Sequence, residues 1–226
     1  MKRMILFFEF IFVLLLILVI FSNIIQNNKS KIIADLEKKN IKNINNLMVV
    51  AHPDDESLWG GINILNDDYL VVCVTCVDQE RINEFKKVME KTNDEYLILG
   101  YPDKTNGQRD DWITSYDGIK KDLIEIVNYK NWKKIVTHNP DGEYGHIHHQ
   151  LLSNIMTDIS SKDILYYFNK YYSEEELNNN SYDSLNDEDL LKKEEILKIY
   201  KSQKDIVNNH RSNIKYEELI KYSNWK

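Results

Sequence analysis

Five short apolar runs, separated by segments of helical periodicity, constrain this chain most. They are "LMVVA" (47–51), "YLVVCVTCV" (69–77), "EYLILG" (95–100), "KKIVTH" (133–138) and "DILYYFN" (163–169). Short, continuous and β-branched, they suit strands covered on both faces. Between them, apolar residues recur at helical spacing: Ile82, Phe85, Val88 and Met89 within 81–92, then Ile119, Leu123, Ile126 and Val127 within 116–130. A further helix is predicted over 146–159. Strand–helix alternation implies parallel βαβ units. The predicted fold is therefore α/β: a Rossmann-like open, mostly parallel sheet with helices on both faces. Residues 173–190 are acidic, Asn-rich and aperiodic, and read as a surface loop. A last helix is predicted over about 188–208.

Before this domain lies a segment different in kind. Met4–Ile25 is almost continuously apolar, with Glu9 as its one charge. About 22 residues at 1.5 Å each span roughly 33 Å, enough for a hydrocarbon core of about 30 Å. The run exceeds the apolar region of a secretory signal, and no small-x-small cleavage site follows Phe21. The expectation is an uncleaved transmembrane helix preceding the sheet domain, and a single-pass membrane location. Lys29, Lys31, Lys38, Lys39 and Lys42 outnumber Lys2 and Arg3, which puts the C-terminal domain on the cytoplasmic side. The expected division is an anchor at 1–26, a membrane-proximal stalk at 27–46 and a catalytic domain at 47–226.

Composition narrows the function. With 42% apolar residues the chain can bury a sizeable core, and its net charge of −7 argues against nucleic acid as a partner. Cys73 and Cys76 form a C-x-x-C, but residues three apart on a strand face opposite ways, so they read as small strand residues.

The chemistry concentrates in two places. "AHPDDES" (51–57) follows the first strand and packs His52, Asp54, Asp55 and Glu56 together. "NPDGEYGHIHHQ" (139–150) follows His138 at the end of the fourth strand. Each alone reads equally well as a solvated turn or helix cap. In open α/β sheets, however, ligands bind beyond the carboxyl ends of the strands, and both clusters emerge there. Crowded carboxylates and imidazoles suit a hydrolytic zinc site: about three N/O ligands, an open position and a nearby base.

"AHPDDE" with "GHIHH" downstream resembles the PIG-L/LmbE family of zinc-dependent N-acetylglucosaminyl deacetylases over roughly 47–205. "THNPDGEYGH" is most similar to the bacterial-type branch. The resemblance implies His52, Asp55 and His149 as zinc ligands and Asp54 as general base. It implies His146 as an acid or oxyanion stabiliser, with Tyr144 close to the scissile group. Arg81 and Asp103 would contact the substrate. A helical wheel over Leu151, Leu152, Ile155 and Ile159 selects His148 instead as the inward residue, so His148 stands as an alternative ligand. The function implied is Zn2+-dependent hydrolysis of the N-acetyl group of an N-acetylglucosamine-containing substrate, a linear amide. N-acetylglucosaminyl-phosphatidylinositol is the glycolipid candidate. The competing readings are a hydrolase of another N-acyl sugar conjugate and an inactive sugar-binding membrane protein.

Overall fold

The computed structural model describes residues 30–75 and 78–226. The chain divides into two compact units, residues 1–38 and 39–226. In the first, the described part holds one short helix, α1 (Lys31–Leu36), capped by Ser30 Oγ accepting from Ile33 N at 3.2 Å.

The second unit is built on a six-stranded sheet. In chain order its elements are β1 (Asn46–Val50), α2 (Asp55–Asn66), β2 (Tyr69–Thr75), α3 (Gln79–Thr92) and β3 (Glu95–Tyr101). A small hairpin follows, β4 (Lys104–Thr105) with β5 (Gln108–Arg109), and then α4 (Tyr116–Asn128) and β6 (Lys134–Thr137). Next come α5 (Gly142–Gly145), α6 (Ile147–Ile159), β7 (Leu165–Phe168), α7 (Glu174–Asn179), α8 (Asp187–Leu197), α9 (Lys204–Asn209) and β8 (Leu219–Lys221). The sheet order is β3-β2-β1-β6-β7-β8, parallel throughout except that β8 runs antiparallel to β7.

Period-two alternation sorts the strand residues between two apolar layers. Met48 and Val50 of β1, Val71 of β2 and Phe168 of β7 join Leu58 and Ile64 of α2, Phe85 of α3 and Ile196 of α8 in one core cluster. The intervening residues Leu47, Val49, Leu70 and Val72 are equally buried. They belong to the opposite face, where α4 packs on α6 and α6 on β6. The predicted Rossmann-like arrangement, with helices on both faces, is therefore present. Strands β1–β3 advance one way from β1, and β6 and β7 advance the other. That reversal puts the topological switch point between the carboxyl ends of β1 and β6.

Several local features depart from the sequence reading. The helix expected over 188–208 is two helices, separated by a 3-10 turn at Lys201–Gln203. The segment read as a loop holds α7, closed by a Ser173/Glu176 capping box. Neither the β4–β5 hairpin nor β8 was expected, because two- and three-residue strands carry no readable period. Cys73 is a buried strand residue, as read, while Cys76 lies outside the described residues.

The membrane expectation requires correction. Among the described residues no helix is long and apolar enough to cross a membrane. The longest, α3, has 14 residues and would span about 21 Å, and it exposes a charged face to solvent. The transmembrane helix preceding the sheet, and the single-pass, cytoplasmic-facing location drawn from it, are therefore not carried forward. Residues 4–25, on which they rested, lie outside the described residues.

Helix α2 carries the first motif and is itself unusual. At Gly60 its backbone leaves helical geometry (φ −132, ψ 20). A Cβ there would sit 2.7 Å from Met48 Cε and 2.9 Å from Phe168 Cε1, so glycine lets the helix lie close on the sheet. Beyond the break, the amides of Ile62 and Asn63 donate to Glu217 Oε1 at 2.9 and 3.1 Å. Glu217 also receives the buried Lys193 ammonium at 2.7 Å.

Candidate metal centre and catalytic site

The loop after β1 turns sharply into α2. Asp54 adopts φ 113, ψ −27, a left-handed conformation costly for a non-glycine residue. Its surroundings hold it there. Its N–H donates to Glu56 Oε2 (3.1 Å), and its carbonyl accepts from Leu58 N (2.8 Å). Arg81 Nη2 donates both to Pro53 O (2.8 Å) and to Asp54 Oδ1 (3.0 Å). Glu56 is in turn held by Ser57 Oγ (2.6 Å) and by Tyr200 from beyond α8 (2.7 Å). Burial pushes the Asp54 carboxyl well above its usual range. Arg81 opposes this, while Asp55 and Glu56 add to it.

Asp55 begins α2 and folds back so that Oδ2 accepts from His52 N at 2.8 Å. The same oxygen lies 3.2 Å from His52 Nδ1 and 3.3 Å from His149 Nε2, and those two nitrogens are 3.3 Å apart. A tetrahedral ion with bonds of about 2.1 Å requires ligand separations of roughly 3.4 Å. Two imidazoles and a carboxylate are also the donor set of hydrolytic zinc sites, and three ligands leave a coordination position open. The residues present fit a metal ion. Among the described residues two further groups have suitable spacing, His52/His146/His148 and His138/Glu143/His149.

Hydrogen bonds outside the trio decide how the rings present their nitrogens. His148 Nε2 lies 2.5 Å from Asp110 O, a carbonyl that only accepts, so that nitrogen carries the proton. Its Nδ1 then accepts from His52 Nε2 at 3.0 Å, which leaves the lone pair of His52 on Nδ1, facing Asp55. Trp112 stacks on His148 with ring centroids 4.1 Å apart. On the other side, Glu143 Oε2 receives His149 Nδ1 at 2.5 Å, which aims His149 Nε2 at Asp55. For His149, burial works against the proton, but Asp55 and Glu143 outweigh it and hold its pKa up at about 10.

Both rings singled out by the helical wheel are fully buried, on different sides of the first turn of α6. His149 enters the Asp55 cluster and His148 braces His52 from behind. His146 caps α6, its Nδ1 accepting from His148 N at 3.2 Å, and its ring centroid lies 4.7 Å from that of His52 and 4.4 Å from that of His149. Tyr144 is 43% exposed at the rim, its ring centroid 5.7 Å from that of His149 and 4.4 Å from that of His210. Arg81 reaches Asp54, as described. Asp103 Oδ1 sits 3.3 Å from His52 Nε2 and pairs with Arg109. The structure thus gathers His52, Asp54, Asp55, Arg81, Asp103, Tyr144, His146 and His149 at one place.

Four neighbours escaped the sequence reading as site residues. Glu143 lies in the second motif and His138 just before it, and neither announces a role on its own. Arg109 arrives on the β4–β5 hairpin, and His210 comes from a C-terminal segment without a motif.

A parallel α/β sheet with a His/Asp cluster at its switch point places groups that could hold a metal ion where such sheets bind ligands. A family model described as PIG-L, GlcNAc-PI de-N-acetylase, matches residues 47–160. The chain belongs to the PIG-L family, a family of deacetylase-like hydrolases. Uncharacterized protein L374 of Acanthamoeba polyphaga mimivirus is 29% identical over 196 residues, covering 79% of this chain and 80% of the viral protein. Among solved structures, GalB, the 4-carboxy-2-hydroxymuconate hydratase from Pseudomonas putida KT2440, is similar with a TM-score of 0.53 at 16% identity. That match covers 78% of this chain and 95% of GalB, and it bears on the fold alone.

Proposed function

We propose that this chain hydrolyses the N-acetyl group of an N-acetylglucosamine-containing substrate, with His52, Asp55 and His149 holding a zinc ion. The observation that carries the reading is the convergence of those three ligand atoms at 3.2–3.3 Å, beside the buried carboxylate of Asp54. Bound there, zinc would act as a Lewis acid toward the acetamide carbonyl and bring the pKa of water toward ~7.

Asp54 is the general base. Arg81 engages Oδ1, which leaves Oδ2 to accept the proton of the attacking water. Burial favours the protonated form of Asp54, which suits a group that takes this proton and returns it to the departing nitrogen. His146 uses Nδ1 as the cap of α6, so its proton is on Nε2. It serves as a donor to the carbonyl oxygen as negative charge grows there. Tyr144 is a second donor. Burial, reinforced by Asp55 and Asp54, raises its hydroxyl pKa, so it stays protonated at neutral pH.

Arg81 and Asp103, with Pro53, Lys104 and Gln203, line a cavity of about 350 Å³. That volume lies in the range of small-molecule sites. In this reading Arg81 and Asp103 bind sugar hydroxyls. Gln203 lies beyond the family match, as do Tyr200 and Glu217, which brace the motif and α2. The catalytic domain is accordingly proposed to span 47–226.

The test offers N-acetylglucosamine and N-acetylglucosaminyl-phosphatidylinositol to zinc-loaded protein and measures acetate. Release from at least one is expected, with Asp54→Asn slower by about 10²–10⁴-fold at equal metal content. No release from either, with zinc bound, would refute the deacetylase reading.

A further inference from the structure

Glu143 is a buried carboxylate that the proposed chemistry leaves without a task. Its side chain is fully shielded from solvent, and its backbone sits at φ 54, ψ −87, outside helical geometry within α5. Strain of this kind persists where the surroundings over-determine it. Here the surroundings are two imidazoles and an amide. Oε2 receives His149 Nδ1 at 2.5 Å and His138 Nδ1 at 3.0 Å, and Oε1 accepts from Asn139 N at 3.1 Å. The two rings stack with centroids 3.8 Å apart.

Each ring has a second nitrogen with a defined use. His138 Nε2 accepts from Ala51 N at 3.0 Å, so the proton of His138 must lie on Nδ1, where Glu143 accepts it. Ala51 immediately precedes the His52–Asp55 turn. His149 Nε2 faces Asp55 Oδ2 and His52 Nδ1. One carboxylate therefore selects the tautomer of two histidines from different elements. Through one it ties down the end of β1, and through the other it aims His149 Nε2 into the Asp55 cluster.

We infer that Glu143 is a positioning residue that presents His149 Nε2 to the metal and, through His138, fixes the β1 end of the site. The inference rests on the metal reading given above. Outer partners of metal-bound histidines commonly change affinity by about 10–100-fold. Glutamine preserves the shape of Glu143 but removes its charge and puts an NH2 donor at one of the two oxygen positions, where it faces either the two imidazole N–H groups or the Asn139 amide.

The experiment measures Co2+ affinity by chelator competition for the full chain and for Glu143→Gln, with far-ultraviolet circular dichroism as the check on folding. Binding weakened about 10–100-fold in a natively folded variant is the expected result. Unchanged affinity would overturn the inference and leave the metal site standing. Absence of binding by the unaltered chain would instead overturn the metal reading along with it. Should Glu143→Gln fail to fold, histidine nitrogen NMR on the zinc-loaded unaltered protein decides. His149 protonated at Nδ1 with Nε2 on the metal supports the inference, and coordination through Nδ1 overturns it.

Discussion

Truncating Glu217 to alanine should destabilise the domain by about 3–5 kcal/mol, the range seen when one partner of a buried ion pair is removed. The structure sets this magnitude. The Lys193 and Glu217 side chains are each 1% exposed, and their charges meet at 2.7 Å. In Glu217→Ala the Lys193 ammonium has no counter-charge, and burial already pushes its pKa down. Three further donors lose their acceptor: Ile62 N, Asn63 N and Asn63 Nδ2, the last at 2.8 Å. Ile62 and Asn63 lie just past the break at Gly60, where their amides donate to Glu217. Glu217→Gln keeps an oxygen for the amides and should cost less than Glu217→Ala. Urea titration gives the comparison, provided the m-value is unchanged between variants. A loss under about 1 kcal/mol for Glu217→Ala would refute the view that this pair closes the broken helix.

Two further outcomes follow from packing and charge. Gly60→Ala should cost about 1–3 kcal/mol by overpacking, since the new methyl would meet Met48 and Phe168, and an unchanged melting temperature would contradict the close approach of α2 to the sheet. Burial raises the Asp94 carboxyl to about 7 from the usual 3.8, so the folded state holds a proton that the unfolded chain has released. Stability should therefore fall as pH rises from about 4 to about 7, and Asp94→Asn, which can still accept from Tyr69 N, should flatten that fall; an identical slope in both proteins would rule this out.

What was legible in the sequence follows from the range of the forces involved. The buried strands announce themselves because a strand covered on both faces must be apolar at every position, as in Leu47–Ala51. The motif at 51–57 is legible because one short turn concentrates an imidazole and three carboxylates. His148 was not legible because its partners, His52 and the Asp110 carbonyl, lie far away in the chain, and Glu143 was not because its turn back onto the nearby His138 and His149 depends on a non-helical backbone that no periodicity encodes. The helical wheel separated His148 from His149 poorly because the first turn of α6 is enclosed on two sides, by Trp112 and by Asp55. Arg109 and β8 depend on pairings that no local period encodes. The apolar segment at 4–25 satisfied a length rule, but no described helix supports a membrane span.

The central claim is that one metal ion is held by His52, Asp55 and His149, and not by either neighbouring group of similar spacing. An anomalous difference map at the zinc edge, from crystals grown with zinc, tests it most directly. The expected result is a single peak within about 2.0–2.2 Å of His52 Nδ1, Asp55 Oδ2 and His149 Nε2. A peak centred on His138, Glu143 and His149, or on His52, His146 and His148, would contradict it.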